Sequence, residues 1–220
     1  MKTSLTSIKL SDYVANQFSN YFPDDLVRGV HLKRYVDLAL DRVEYCFAHI
    51  NHKYYSINGE PCFNHLHTDQ YSIFLYFLSN SIFQMGEEID LASKAYCLNK
   101  ALHAIDVFYE VELPEIFFLE HPLGTVLGRA KYSNYLCVYQ RVNVGGNVEE
   151  VYPKLAEGVI LHGGSAIIGN CIIESNCWLS VGTLVMDQNI PSDSVVFGSS
   201  PDVIIKPTNR NVIRDMFQKT

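Results

Sequence analysis

GVILHGGSAIIGNCIIESNCWLSVGTLVM, residues 158–186, carries an aliphatic side chain at every sixth position: Leu161, Ile167, Ile173, Leu179 and Val185. Two residues before each stands a small or β-branched residue, namely Val159, Ser165, Cys171, Cys177 and Thr183. Three residues after each comes a turn-former or a polar residue: Gly164, Asn170, Asn176, Gly182 and Gln188. Each hexad therefore reads as one short strand followed by a turn, and a sustained period of six is the signature of a parallel β-helix. Glu174 is the one charged residue in the stretch, as tightly stacked coils require.

The repeat extends upstream. Val126, Tyr132, Val138 and Val144 keep the step of six, and an insertion of five within residues 145–154 then delays Leu155. With three hexads per turn, the phasing predicts three stacked columns. The first holds Val126, Val144, Ile167 and Val185; the second Tyr132, Leu155 and Ile173; the third Val138, Leu161 and Leu179. Successive coils should lie about 4.8 Å apart, the ordinary spacing between strands.

The first 111 residues follow a different period. Leu26, Val30, Val36, Leu40, Val43, Phe47 and Ile50 recur at helical spacing and make one apolar stripe. Asp24 and Asp25, after Pro23, suit the start of that helix. Asn58, Gly59, Glu60 and Pro61 form a break. Thr68 or Asp69 is placed to cap a second helix running through Phe83, and residues 87–111 support a third, closed by Pro114. The expected class is α+β: an α-helical domain over 1–114, a parallel β-helix over 115–207, and a tail or short helix over 208–220.

Composition narrows the function. Hydrophobic residues are 48% of the chain and charged residues 19%, enough for a buried core. The formal charge of −7 argues against a nucleic-acid partner, which needs a basic face to displace counterions. The most apolar run, Tyr71 to Phe83, is too short to span a bilayer and is expected to be a buried helix. MKTSLTSIKLSDYV (1–14) lacks the apolar core of an export signal, so a cytoplasmic location is expected. Cys46, Cys62, Cys97, Cys137, Cys171 and Cys177 form no CxxC pair; reduced thiols and no metal site are expected. Cys171 and Cys177, six apart, fall on different faces of one coil and are expected to fill its inward side.

Four segments carry a resemblance: FLEHPLGTVLG (118–128), VNVGGN (142–147), YPKLAEGVILHGG (152–164) and GSSPDVIIKP (198–207). Together they resemble the left-handed β-helix acyltransferases, and among those the serine O-acetyltransferases. YSIFLYFL (71–78) is loosely similar to a helix of that family. The resemblance implies a left-handed coil, acetyl-CoA as acyl donor, and His121 as the general base that takes a proton from an acceptor hydroxyl. Glu120 would hold the imidazole in its productive tautomer. An imidazole suits the task because its pKa lies near cellular pH whereas that of an alcohol lies far above it. The resemblance also implies that Gly145 and Gly146 approach the thioester, that Gly163 and Val181 follow the pantetheine arm, and that Pro201 and Lys206 meet the nucleotide end. It implies a homotrimer, or two trimers joined through the helical half, with active sites between neighbouring β-helices.

The chain departs from the family at the acceptor. The basic pair, Arg then His, that precedes Pro-Lys in serine acetyltransferases is replaced by Val151 and Tyr152. The DPA motif near the start of the matching helix is also missing, and Asn64, His65, His67 and Asp69 stand nearby. Tyr152, His162, His65 and Asp69 are therefore the acceptor-site candidates. Column counting puts His162 in line with Tyr139 and His121, two coils from the latter. The expected reaction is O-acetylation of serine or of a sugar hydroxyl. N-acetylation of an amino-sugar and a non-catalytic β-helix scaffold are the competing readings.

Overall fold

The computed structural model describes every residue except Asp25, Leu26, Glu87, Lys219 and Thr220, with Val30 described by its backbone alone. The readings of Asp25, Leu26 and Glu87 above, and the last two positions of the tail, lie outside the described residues. The N-terminal part comprises β1 (Lys2–Thr3), α1 (Ser7–Tyr21), α2 (Gly29–Ala48), β2 (Ser56–Ile57), β3 (Glu60–Phe63), α3 (Thr68–Met85) and α4 (Ile89–His103). Asn58 and Gly59 both take positive φ, 54° and 80°, so the expected break is a tight hairpin between β2 and β3. β1 pairs with β3 in parallel to complete a small three-stranded sheet.

α3 is the centre of this half. Every residue from Asp69 to Ile82 is buried, so the helix is wrapped on all sides and shows no single apolar stripe. Tyr76 and Phe77 reach Phe117 at ring distances of 5.7 and 5.3 Å, joining the helices to the β-helix. The Tyr76 hydroxyl donates to the Val111 carbonyl and accepts from the Leu113 N–H, at 2.9 and 2.8 Å. The helix boundaries correct the sequence reading. α2 begins at Gly29 behind Arg28, five residues beyond Asp24. α4 stops at His103, where Ala104 turns left-handed, instead of running to Val111. Neither Thr68 nor Asp69 caps α3; His67 holds the N-cap position and makes no side-chain capping bond.

Three parallel stacks then build the coil. The first contains β4 (Phe117–Leu119), β7 (Leu136–Val138), β10 (Val159–Leu161), β13 (Cys177–Leu179) and β15 (Ser194–Phe197). The second contains β5 (Val126–Leu127), β8 (Asn143–Gly145), β11 (Ala166–Ile168) and β14 (Leu184–Met186). The third contains β6 (Lys131–Tyr132), β9 (Lys154–Leu155) and β12 (Ile172–Ile173). This is a left-handed parallel β-helix. Asp106 bridges Val126 and so extends the second stack one coil upstream.

Val138, Leu161 and Leu179 stand in register, as do Tyr132, Leu155 and Ile173. The first column differs by one residue: Leu127, not Val126, stands opposite Val144 in line with Ile167 and Val185. Burial agrees, with Leu127 1% exposed and Val126 40% exposed. Val159, Ser165, Cys171, Cys177 and Thr183 are buried, as inward-facing positions should be. β16 (Ile204–Pro207) returns antiparallel on β15. α5 (Val212–Met216) then brings the chain back to the helical half, where Phe217 bridges Ile50 and the Gln218 N–H donates to the His49 carbonyl at 2.8 Å. No helix among the described residues is long and apolar enough to cross a membrane.

Candidate functional site

The displaced column has a local cause, and it builds the site. Six residues carry the chain from Val138 to Val144 and from Leu161 to Ile167, but eight carry it from Leu119 to Leu127. The regular corners hold one left-handed residue three positions before the inward aliphatic: Arg141, Gly164 and Gly182. The first corner keeps its equivalent, Gly124, and adds a second left-handed residue, His121, with φ 51°. A non-glycine residue at positive φ is uncommon and is sustained by its surroundings. Here the Leu123 N–H donates to the His121 carbonyl at 2.7 Å, and the Gly124 N–H to the Ala104 carbonyl at 2.9 Å. The two extra residues push the imidazole out of the coil, and its side chain is 73% exposed.

What faces it comes from the helical half. Asp69, in the first turn of α3, is 7% exposed. Its Oδ2 accepts the His121 backbone N–H at 3.2 Å and lies 3.7 Å from His121 Nδ1. A cavity of about 190 Å³ opens at this contact, lined by Thr68 and Asp69 of α3, Leu102 and His103 of α4, and His121, Pro122 and Leu123 of the corner. His103 Nδ1 is paired with Asn99 Oδ1 at 2.8 Å. Burial holds the His103 pKa down to about 4, against an opposing pull from Asp69, so this ring stays neutral at pH 7. Among the described residues, no lysine or arginine lines the cavity.

Glu120 is half-buried, whereas the His121 side chain is 73% exposed, and no ion pair joins the two among the described residues. Glu120 stands in register with Tyr139 and His162, whose N–H groups continue the ladder of the first stack. Burial foremost, then Cys137 and the bond and charge of Glu120, push the Tyr139 phenol up. Tyr139 packs on His162 with ring centroids 5.1 Å apart, His162 stacks on Trp178 at 6.1 Å, and the Arg210 guanidinium lies 5.0 Å from the Trp178 ring. Burial first, then Arg210, lowers the His162 pKa. The sequence reading put His162 in line with His121; the register puts it in line with Glu120, because β4 ends one residue earlier than the count supposed.

The remaining candidates are dispersed. Gly145 ends β8 and has open space where a Cβ would stand. Gly146 follows, and a Cβ there would come within 2.8 Å of the Tyr152 ring. Tyr152 is half-buried, and its influence raises the pKa of the nearby Arg129 guanidinium. Asn147 pins the loop between them through its Oδ1, which accepts the N–H groups of Glu149 and Val151 at 3.1 and 3.0 Å. Gly163 is buried against Gln140, whereas Val181 is 76% exposed at the equivalent corner one coil above. Pro201 follows a cis peptide bond, and exposed Lys206 lies 6.0 Å from the Phe197 ring. His65 bonds the Ser4 hydroxyl at 2.8 Å and packs edge-on against Tyr13, so it does not line the His121 cavity.

Of the candidate site residues named from the sequence, the structure brings together His121 and Asp69 in this cavity. It adds Thr68, named from the sequence only as a helix cap, and Leu102 and His103, which no motif marked. His103 sits on a helix whose polar and apolar positions follow the ordinary pattern, so the sequence offers no signal for it. Among the described residues, no group of three or more metal-ligating side chains is assembled to hold an ion.

No family model matches the chain. Over 113 residues it is 29% identical to the serine acetyltransferase of Synechococcus elongatus, covering 50% of this chain and 46% of that one. Over 119 residues it is 29% identical to a serine acetyltransferase of Staphylococcus epidermidis, covering 52% and 55%. The matches thus span about half the length of these curated relatives. Among solved structures, serine acetyltransferase from Brucella abortus in complex with coenzyme A superposes with a TM-score of 0.71 at 18% identity, covering 94% of this chain and 84% of that one. The Vibrio cholerae serine acetyltransferase gives 0.69 at 18% identity, covering 91% and 79%. The chain resembles serine acetyltransferases in sequence, and the shared fold extends over nearly its whole length.

Proposed function

We propose that this chain is an acetyl-CoA-dependent O-acetyltransferase of the serine acetyltransferase type, with His121 as its general base. The observation that carries the reading is the His121 corner itself. An exposed imidazole is held at a left-handed turn beside a cavity, with a buried carboxylate behind its Nδ1. Nε2 is then the nitrogen free to meet an acceptor. It takes the hydroxyl proton as the oxygen attacks the thioester carbonyl, and the resulting imidazolium gives that proton to the CoA thiolate as the C–S bond breaks. General-base assistance of this kind is worth about 10²–10⁴-fold.

Acetyl-CoA supplies the acetyl group as an activated thioester. Gly145 and Gly146 suit its approach, since nothing occupies the space beside Gly145 and the Gly146 N–H has no hydrogen-bond partner among the described residues. Such an N–H stabilises negative charge developing on the acetyl oxygen. Gly163 and Val181 would follow the pantetheine arm, and Pro201 and Lys206 the nucleotide end. His121 stands at the corner between β4 and β5, whereas Gly145 and Gly146 stand where β8 gives way to the 146–153 loop. A neighbouring copy that brings its loop to the His121 corner completes the site, so the reading includes a homotrimer or a pair of trimers. The division into 1–114, 115–207 and 208–220 belongs to the same proposal. It is supported by the change from helices to stacked strands.

The acceptor is a hydroxyl of serine or of a sugar. The absence of lysine and arginine from the cavity lining among the described residues, with Val151 and Tyr152 in place of a basic pair, favours an uncharged sugar hydroxyl over an amino-acid carboxylate. The test is steady-state release of CoA from acetyl-CoA with L-serine and with nucleotide- or lipid-linked sugars. Turnover of a sugar is the expected result. Efficient turnover of serine alone removes the sugar reading, and failure of every acceptor with intact CoA binding removes the enzyme reading.

A further inference from the structure

We infer that Asp69, contributed by the helical half, is the positioning carboxylate for His121, and that Glu120 is not. This inference rests on the reading of His121 as the base.

Three observations carry it. Among the described residues, Asp69 is the one carboxylate within ion-pair distance of the imidazole, 3.7 Å from Nδ1. The same oxygen accepts the His121 backbone N–H, so one atom fixes both the left-handed turn and the side that Nδ1 presents. Glu120 makes no ion pair with His121 among the described residues, and its charge is felt instead by the Tyr139 phenol.

Asp69 is also short of a permanent counter-charge. No lysine or arginine lies within ion-pair distance of it among the described residues, although it is almost wholly buried. Buried carboxylates are ordinarily paired, because an uncompensated charge out of water is costly. Asp69 sits in the first turn of α3, where the helix dipole favours an anion. The groups that face it are His103 from α4 and Tyr55 from the segment before β2, both of which feel its charge. His103 is neutral at pH 7, and burial keeps Tyr55 protonated. The partner this carboxylate lacks is supplied when His121 takes a proton. At 3.7 Å the resting contact is longer than a hydrogen bond, and contacts of this type shorten as the charge develops.

The arrangement ties the two halves of the chain to one reaction. Thr68 and Asp69 open α3, Leu102 and His103 close α4, and the β-helix presents His121 to all four.

The experiment combines two readouts on Asp69→Asn, which keeps an oxygen for the His121 backbone N–H but removes the charge. The first is the tautomer of His121, read from nitrogen chemical shifts of the ¹⁵N-histidine-labelled protein without ligand. The second is the rate of CoA release from acetyl-CoA with and without whichever of L-serine or a linked sugar the wild type turns over. The expected result is Nδ1–H in the wild type, a shift to Nε2–H in Asp69→Asn, and a fall in kcat of about 10²-fold with KM for acetyl-CoA little changed. Asp69→Glu should restore part of the rate, which a purely structural role would not predict. Glu120→Gln should leave the tautomer at Nδ1–H. An unchanged tautomer in Asp69→Asn, or a tautomer moved by Glu120→Gln instead, overturns the assignment. The base reading is tested separately by His121→Ala. Loss of activity there with full activity in Asp69→Asn defeats the Asp69 inference alone, whereas full activity in both defeats both.

Discussion

The corner at His121 and the corner at Val181 occupy the same edge of the β-helix, yet they differ in what stands beside them: a cavity lined by α3 and α4 at His121, an exposed side chain at Val181. The Val181 corner is regular: six residues, one left-handed glycine at Gly182, and an outward side chain facing open solvent. The His121 corner has two more residues, a second left-handed position, and α3 and α4 packed in front of it. A repeating fold places its chemistry where the repeat is broken and where a non-repeating element comes to meet it. The departure from period, more than the period itself, marks the candidate site.

The comparison is sharpened first by truncating the two residues on either side of the register shift. Leu127→Ala should cost about 2–5 kcal/mol in denaturant unfolding, because Leu127 fills the first column. Val126→Ala should stay within about 0.5 kcal/mol, because that side chain faces outward. Equal losses would mean that the first corner is as regular as the others.

A smaller effect tests the helical side of the cavity. Folded His103 titrates near 4, whereas the unfolded chain titrates it near 6.5. Between these values the unfolded state binds the proton first, so stability is lost as the pH falls through this window. Unfolding at pH 5 should give about 2 kcal/mol less stability from this group than at pH 7. His103→Gln should shrink the difference between the two pH values. An unchanged slope would show that the ring is not enclosed by α4 and the corner.

The smallest effect separates two adjacent glycines. Gly146→Ala puts a methyl group against the Tyr152 ring and should lower stability by about 1 kcal/mol. Gly145→Ala enters open space at an ordinary φ and should change it by less than about 0.5 kcal/mol. The reverse order, read from thermal melts, would mean that the loop does not lie against Tyr152.

Much of the β-helix was legible in the sequence. An inward side chain every sixth residue leaves a pattern that survives an insertion, and the Tyr132 and Val138 columns were readable to the residue. The column assigned to Val126 slipped by one because counting back in sixes crosses the long corner, where the true inward residue is Leu127. The helical half was less legible. α3 is buried on every side, so periodicity says little about its neighbours. α1 and the β1–β3 pairing left no signal strong enough to read. Asp69 was visible as a polar residue at a helix start, but its contact with His121 joins positions 52 residues apart, and no spacing rule connects them. His162 was placed one residue out of line for the same reason as Val126: a column is known only as well as the corner that precedes it.

The central claim is that His121 performs the proton transfer in acetyl transfer. It is tested most directly by CoA release from acetyl-CoA in His121→Ala, using whichever of L-serine or a linked sugar the wild type turns over. The expected result is a fall of about 10²-fold or more with the thermal melt unchanged within a few degrees. A rate within a few-fold of wild type in the folded variant would contradict it.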